Sequence, residues 1–281
     1  MKITTSQLKR IIKEELDAEK QKIMRLLKNP DPELITQGVE FWLMLFPDEP
    51  LPLLVAKQIK DLLKHKNTVA KAVQLWRNLY PDEPLPPVTR DLVRTNLKNI
   101  DFENIHHKDS NFGGADLSGA NFNRANLDHA NFYTAKLINT IFTNADLSGA
   151  TLSKSVVSGA DFTRASLIRA KVTEIDFTRA NLTEANLTGA YVSRSNFSHL
   201  DLSGVDLKKT YGRRPNLSGA NLTGADLSDS KLSFADLTGA NLTDANLSGA
   251  RLLYSVADDS TIWPEGFDPK AAGVRFNLNG I

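Results

Sequence analysis

The sequence predicts an α+β protein in consecutive parts: an α-helical bundle over residues 1–99, a four-sided coil of short strands over 100–256, and a short cap over 257–281. Three observations carry this prediction. Apolar residues fall on every fifth position from Phe102 to Leu252. The first 99 residues space their apolar side chains as a helix does, and within them a block rich in proline and aromatic residues occurs twice.

In the first part, Thr4 and Gln7 suit a helical capping box, and Leu8, Ile11, Ile12, Leu16, Ile23, Leu26 and Leu27 lie at helical spacing until Asn29-Pro30-Asp31-Pro32 interrupts them. The block 41–52 (FWLMLFPDEPLP) recurs as 75–86 (LWRNLYPDEPLP), an offset of 34 residues. Each copy reads as helix, proline turn, helix, so about five helices are expected. Such a bundle suits a cover for the first rung of the coil, and its 99 residues exceed what a cover alone needs.

In the second part, the five-residue phase runs through 31 positions without insertion, and only His107 and Gly212 are not apolar. Ala stands two residues before the apolar centre in 19 units, and Asp or Asn stands immediately before it in 20, as in Ala115-Asp116-Leu117-Ser118-Gly119. A period of five matches neither a helix nor a flat strand, so the chain must turn a corner once per unit to keep these residues inside. Four units then make one rung of twenty residues. Rungs stacked about 4.8 Å apart make a rod of about eight coils and roughly 37 Å. Small Ala fits the narrow interior, and Asp, Asn and Gly fit the corners. Phe102, Phe122, Phe142 and Phe162 form one interior ladder in this phase, with Phe177 and Phe197 also inside.

On these residues the chain resembles the pentapeptide repeat family. The resemblance implies a right-handed quadrilateral β-helix. The segment Ile262-Trp263-Pro264-Glu265-Gly266-Phe267-Asp268-Pro269 is similar to the closing segment of some members, which makes Trp263 and Phe267 candidate lids. Some members are DNA mimics that bind type II topoisomerases such as gyrase, so the resemblance also implies that alternative.

Composition narrows the function. The formal net charge is +1, from 34 Lys+Arg against 33 Asp+Glu. No apolar run approaches the roughly 20 residues of a membrane span, and residues 1–16 lack the apolar core of a secretion signal, so a cytoplasmic protein without a membrane partner is expected. The absence of cysteine removes disulfides, thiolate metal sites and cysteine nucleophiles. His106 and His107 are adjacent and point to opposite sides of a coil, a poor arrangement for one metal ion. The Asp residues occupy the corner position of the repeat, and no Ser or Thr has a histidine at a fixed spacing. No enzyme activity, cofactor or metal is therefore expected.

One wall of the rod stands out. Residues 110–114 and their twenty-residue repeats carry Lys154, Lys171, Arg194, Arg213, Arg214, Lys231 and Arg251 against Glu174, a net of +6, while the rest of 101–256 carries −7. The same wall holds Tyr133, Tyr191, Tyr211 and Tyr254, with Phe234 and Leu253 facing outward. Its stacking column reads Lys171, Tyr191, Tyr211, Lys231, Arg251, an order that permits cation–π contacts between rungs. Stacked tyrosines and cations also simply solvate a β surface. Tyrosine and arginine are equally the residues enriched at interfaces, and a scaffold that docks an anionic protein partner through this wall is the reading adopted, with nucleic acid the weaker candidate. The unit Thr210-Tyr211-Gly212-Arg213-Arg214 lacks its inward apolar residue, which predicts a bulge there.

Overall fold

The computed structural model describes residues 5–276. They fall into two compact units, Met1–Thr89 and Arg90–Ile281. The first holds four helices, α1 (Thr5–Leu27), α2 (Pro32–Leu45), α3 (Leu53–Leu62) and α4 (Val69–Leu79). Thr4, half of the expected capping box, lies outside the described residues. Asp31 caps α2, its carboxylate accepting from the Glu33 N–H at 2.9 Å, and Pro32 begins the helix where a missing N–H costs nothing.

The sequence duplication is also a structural one. Trp42 packs on Phe46 at 5.2 Å and Trp76 on Tyr80 at 4.5 Å. Phe46 and Tyr80 each donate a backbone N–H to the tryptophan carbonyl at 2.8 Å, and both leave their helix at φ −134°. The two copies then diverge. Pro52 leads into α3, whereas Pro86 is followed by Pro87, Val88 and Thr89, and the fifth helix does not form. A residue that precedes proline is pushed out of the α region, and a second proline repeats that restriction. Leu27, Ile35, Val55, Ile59, Leu63, Val69 and Ala72 form the fully buried centre of this unit. No described helix is long and apolar enough to cross a membrane.

The second unit is the coil, and it starts at Asp91, whose bridge to Asn111 is parallel and twenty residues long. Its start lies upstream of residue 100 because Leu92 and Leu97, both fully buried, already keep the five-residue phase. The same parallel, twenty-residue offset then repeats along all four walls. Between rungs the backbone alternates direction: Phe122 N–H donates upward to the Ile141 carbonyl at 2.7 Å, and Asn121 N–H donates downward to Ile100 at 2.9 Å.

Each corner is a four-residue turn. Ala115 N–H returns to the Phe112 carbonyl at 2.9 Å, and Gly114, third in that turn, has φ 64°. A positive φ only at the third residue defines a type II turn, which explains the glycines at this position. The Asp or Asn before the centre has two tasks. Asn121 accepts the Asn123 N–H at 3.0 Å, which tightens the turn, and reaches down to donate to Asp101 at 3.0 Å, which joins the rungs. Its frequency in the sequence therefore reflects both turn and ladder.

The core is aromatic in its first half. Phe102, Phe122, Phe142 and Phe162 are fully buried; the last three stack, as at Phe142–Phe162 (5.1 Å, 10°), and Phe102 meets Phe122 at a 38° tilt. The opposite wall adds a second stack, Phe112–Phe132 (4.8 Å, 3°), which meets the first edge to face, as at Phe132–Phe142 (5.7 Å, 82°). Past Phe162 the aromatic column moves to a neighbouring wall as Phe177 and Phe197, stacked at 4.9 Å and buried.

The wall breaks where that column moves. Among the described residues no bridge joins Val156 to Asp176 or Asn181 to Asp201, and Gly159 N–H donates to Arg179 instead of residue 178. The local sequence is not the cause, since Asp-Phe-Thr-Arg-Ala occupies both 161–165 and 176–180. In the first copy Arg164 takes the turn conformation at φ 57°, and in the second Arg179 does not. The difference lies one rung below: Phe162 stacks on Phe142, whereas Phe177 stands above Val157, too small to match it, and meets Phe162 edge to face at 6.1 Å. A groove of about 580 Å³ opens there between residues 154–158 and 174–179.

The predicted bulge at 210–214 is absent. β1 (Tyr211–Arg213) and β2 (Lys231–Ser233) pair in unbroken register, Gly212 opposite Leu232. Gly212 has no room for a side chain, because a Cβ there would lie 2.6 Å from Val192 Cγ2. At the far end β3 (Val256–Ala257) pairs with β4 (Arg275–Phe276). Trp263 and Phe267 stack at 5.3 Å in this closing segment and are half-buried, while Ala257, Thr261 and Val274 are buried.

Candidate docking surface

The wall that carries the excess positive charge is built by the ladder itself. Parallel bridges run from Thr151 through Lys171, Tyr191, Tyr211 and Lys231 to Arg251, so one side chain from each rung projects from the same line at rung spacing. Tyr191 and Tyr211 are 46% and 40% exposed and stack at 5.8 Å with 25° between their planes. Lys231 Nζ lies 5.2 Å above the Tyr211 ring, the inter-rung cation–π contact that the column order permits.

A second stack runs beside the first. Arg213 and Arg214 place their guanidinium carbons 4.8 and 5.9 Å from the Phe234 ring, Phe234 packs on Tyr254 at 5.1 Å, and Arg275 covers Tyr254 at 4.5 Å. Sequence reasoning named Arg213, Arg214 and Tyr254 as docking residues and placed Phe234 outward on the same wall without giving it a role, and it missed Arg275. Phe234 was visible as an outward aromatic, but nothing in the spacing of the closing segment placed Arg275 above Tyr254. Near the middle of the wall Glu174 pairs with Lys154 at 3.7 Å and Arg194 at 3.8 Å. Lys171 and Arg251 are exposed on the first stack.

The corner residues of this wall are unusual. Thr134, Lys154, Glu174, Arg194, Arg214, Phe234 and Tyr254 all hold the left-handed turn conformation, and Gly114 is the only glycine among them. For an L-residue that conformation costs about 1–2 kcal/mol. Phe234 and Tyr254 accept it, and both stack outward.

The five histidines supply no rival centre. His107 is 1% exposed, lies between Phe102 and Phe112, and pairs Nδ1 with the Ser110 hydroxyl at 2.5 Å, leaving Nε2 buried without a partner. Burial, reinforced by the charge of Arg90, pushes its pKa down to about 4. His106 is exposed and His129 pairs with Asp128 at 2.6 Å. Among the described residues no cluster of three or more His, Asp or Glu side chains is arranged to hold a metal.

These features define a repeat solenoid whose interior is filled and whose chemistry lies on its walls. Family models agree with that class: residues 175–211 and 216–252 match "Pentapeptide repeats" and residues 120–192 match "Pentapeptide repeat region". The chain belongs to the pentapeptide repeat family. HetL of Nostoc sp. strain PCC 7120, a pentapeptide repeat protein involved in heterocyst differentiation regulation, is 29% identical over 57% of this chain and 75% of its own, with a TM-score of 0.44. A second Nostoc PCC 7120 pentapeptide repeat protein, alr5209, is 36% identical over 42% of this chain and 84% of its own, with a TM-score of 0.30. QnrB1, a plasmid-mediated fluoroquinolone resistance protein, is 25% identical over 67% of this chain and 87% of its own in one structure, with a TM-score of 0.40. No curated protein matches the chain.

Proposed function

We propose that this chain is a non-enzymatic, cytoplasmic interaction or scaffolding module that docks an anionic protein partner on the basic, tyrosine-bearing wall. The observation that carries the reading is the confinement of a +6 imbalance to one wall of a rod whose other walls sum to −7. Long-range attraction comes from Arg194, Arg213, Arg214 and Lys231, and contact area from Tyr191 and Tyr211. The two groups fail differently. Arg213→Glu with Arg214→Glu slows association and weakens its salt dependence, whereas Tyr191→Ala with Tyr211→Ala mainly speeds dissociation, by about 1–2 kcal/mol per anchor. All four residues are exposed, so melting temperature stays unchanged. Pull-down from the source cell with wild type and the two double variants tests this; partners that remain bound to both variants refute it. The alternative, a DNA-mimic binder of gyrase, requires rows of negative charge in place of phosphates, and this rod sums to only −1 over 101–256 with no long insertion.

A further inference from the structure

We propose, resting on the docking reading above, that the wall receives a single extended acidic polypeptide segment laid along the rod axis, and that it reads carboxylates and not nucleobases. The ring faces decide the matter. Tyr211 is covered by Tyr191 on one side and Lys231 on the other. Phe234 lies between Arg213 and Tyr254, and Tyr254 between Phe234 and Arg275. Each of these three rings spends both faces on neighbouring rungs, and among the described rings of the two stacks Tyr191 alone, at the lower end, has a ring or cation partner on one face only, so above it what remains toward solvent is ring edge, tyrosine hydroxyl and cation. Aromatic edges carry partial positive charge and attract anions, whereas a base needs an open face to stack on.

Charge and dimensions point the same way. Among the described residues Arg213, Arg214, Lys231, Arg251 and Arg275 make no ion pair, while Glu174 is already engaged by Lys154 and Arg194. The wall is one side of a four-sided rod, and the positive charge does not continue onto the two adjacent walls, which net −2 and −1 over 101–256, so the attractive strip is one wall wide and suits a single extended chain better than a duplex that would overlap them. From the rung of Lys171 to that of Arg275 the stack rises about 24 Å, the length of about seven extended residues. Arg275 enters from the closing segment, so that segment also lengthens the docking surface.

The test uses the full chain and three labelled probes: octaglutamate, an eight-nucleotide oligothymidylate, and an abasic strand of the same length, each followed by fluorescence anisotropy at two salt concentrations. Octaglutamate is expected to bind more tightly than either oligonucleotide, to weaken as salt rises, and to lose about tenfold or more of its affinity in Arg213→Glu/Arg214→Glu. Lys231→Glu/Arg251→Glu gives an independent second variant, and melting temperature reports folding in both. Tighter binding of either oligonucleotide than of the peptide overturns the inference and leaves an anion-docking wall, and preference for oligothymidylate over the abasic strand identifies base stacking as the reason. If no probe binds, or if binding ignores both variants, the docking reading itself falls.

Discussion

His107 is the inward position at which the repeat puts an imidazole where nearly all other units put Leu, Phe or Val, and its burial makes the rod sensitive to acid. In the folded chain its pKa is pushed down to about 4, first by burial and then by Arg90, while an unfolded chain holds it near 6.5. A histidine whose folded pKa is depressed binds its proton more readily in the unfolded state. Its stability contribution is therefore complete above about pH 6.5 and is lost as pH falls toward 4. The 2.5-unit gap, of which the last part is recovered as the folded state itself begins to titrate at pH 4, corresponds to a loss of about 3 kcal/mol between pH 7 and pH 4. His107→Leu removes this term and leaves the carboxylates, so the difference between the two proteins isolates it. Urea denaturation followed by circular dichroism at pH 7, 6, 5 and 4 measures that difference. The variant should lose about 3 kcal/mol less than wild type over the range, though at pH 7 it also leaves the buried Ser110 hydroxyl without its partner, a cost of about 1 kcal/mol. Parallel pH dependences in the two proteins would refute the assignment of an uncharged, buried His107.

The packing gives three further expectations. Phe142→Ala removes a fully buried ring stacked on Phe122 and Phe162 and should cost about 3–5 kcal/mol in denaturant melts, whereas Thr143→Ala, which loses one hydrogen bond of 3.0 Å to Asp161, should cost about 1 kcal/mol; equal costs would contradict the phase. Gly212→Ala places a methyl 2.6 Å from Val192 and should cost about 1–3 kcal/mol, while Gly204→Ala, at φ 65° with nothing within 4 Å, should cost only the roughly 1 kcal/mol of its backbone conformation, so a neutral Gly212→Ala would refute the close approach. In a supercoiling assay the protein should not inhibit gyrase at stoichiometric levels, and salt-sensitive inhibition would instead favour the DNA-mimic reading.

The phase of the rod was legible because burial enforces it in every unit: a shift by one residue would carry Phe122, Leu127 and their equivalents out to water. Features set between rungs were harder to read. The stack of Phe112 on Phe132, the descent of Asn121 to Asp101, and the different fates of two identical Asp-Phe-Thr-Arg-Ala units appear only when residues twenty apart are compared. Gly212 misled the local reading for the same reason, since its small size answers the volume of Val192 and Leu232 in the adjoining rungs and not a need to bend. In the helical part the duplication foretold matching helix ends at Trp42–Phe46 and Trp76–Tyr80, but Pro87 stopped the second copy from repeating the first. On the candidate wall, the first stack lay in one sequence column and was visible, whereas Arg275 joined the second stack only through the pairing of β4 with β3.

The interruption between Val156 and Asn181 has a consequence for how the rod comes apart. In a solenoid each coil is stabilised by the coils above and below it, so cooperativity travels only as far as the coupling between neighbours is strong. Here two successive couplings each lose one of their four backbone bridges, Val156–Asp176 and then Asn181–Asp201, at the level where the aromatic column changes wall. Heat or denaturant thus meets a weakened coupling between an aromatic block below and a leucine-rich block above, and the part of the wall that bears Tyr191, Tyr211 and Tyr254 lies in the upper block. That block can loosen while Phe102 to Phe162 remain stacked, which gives the surface a local stability of its own, distinct from that of the rod's base.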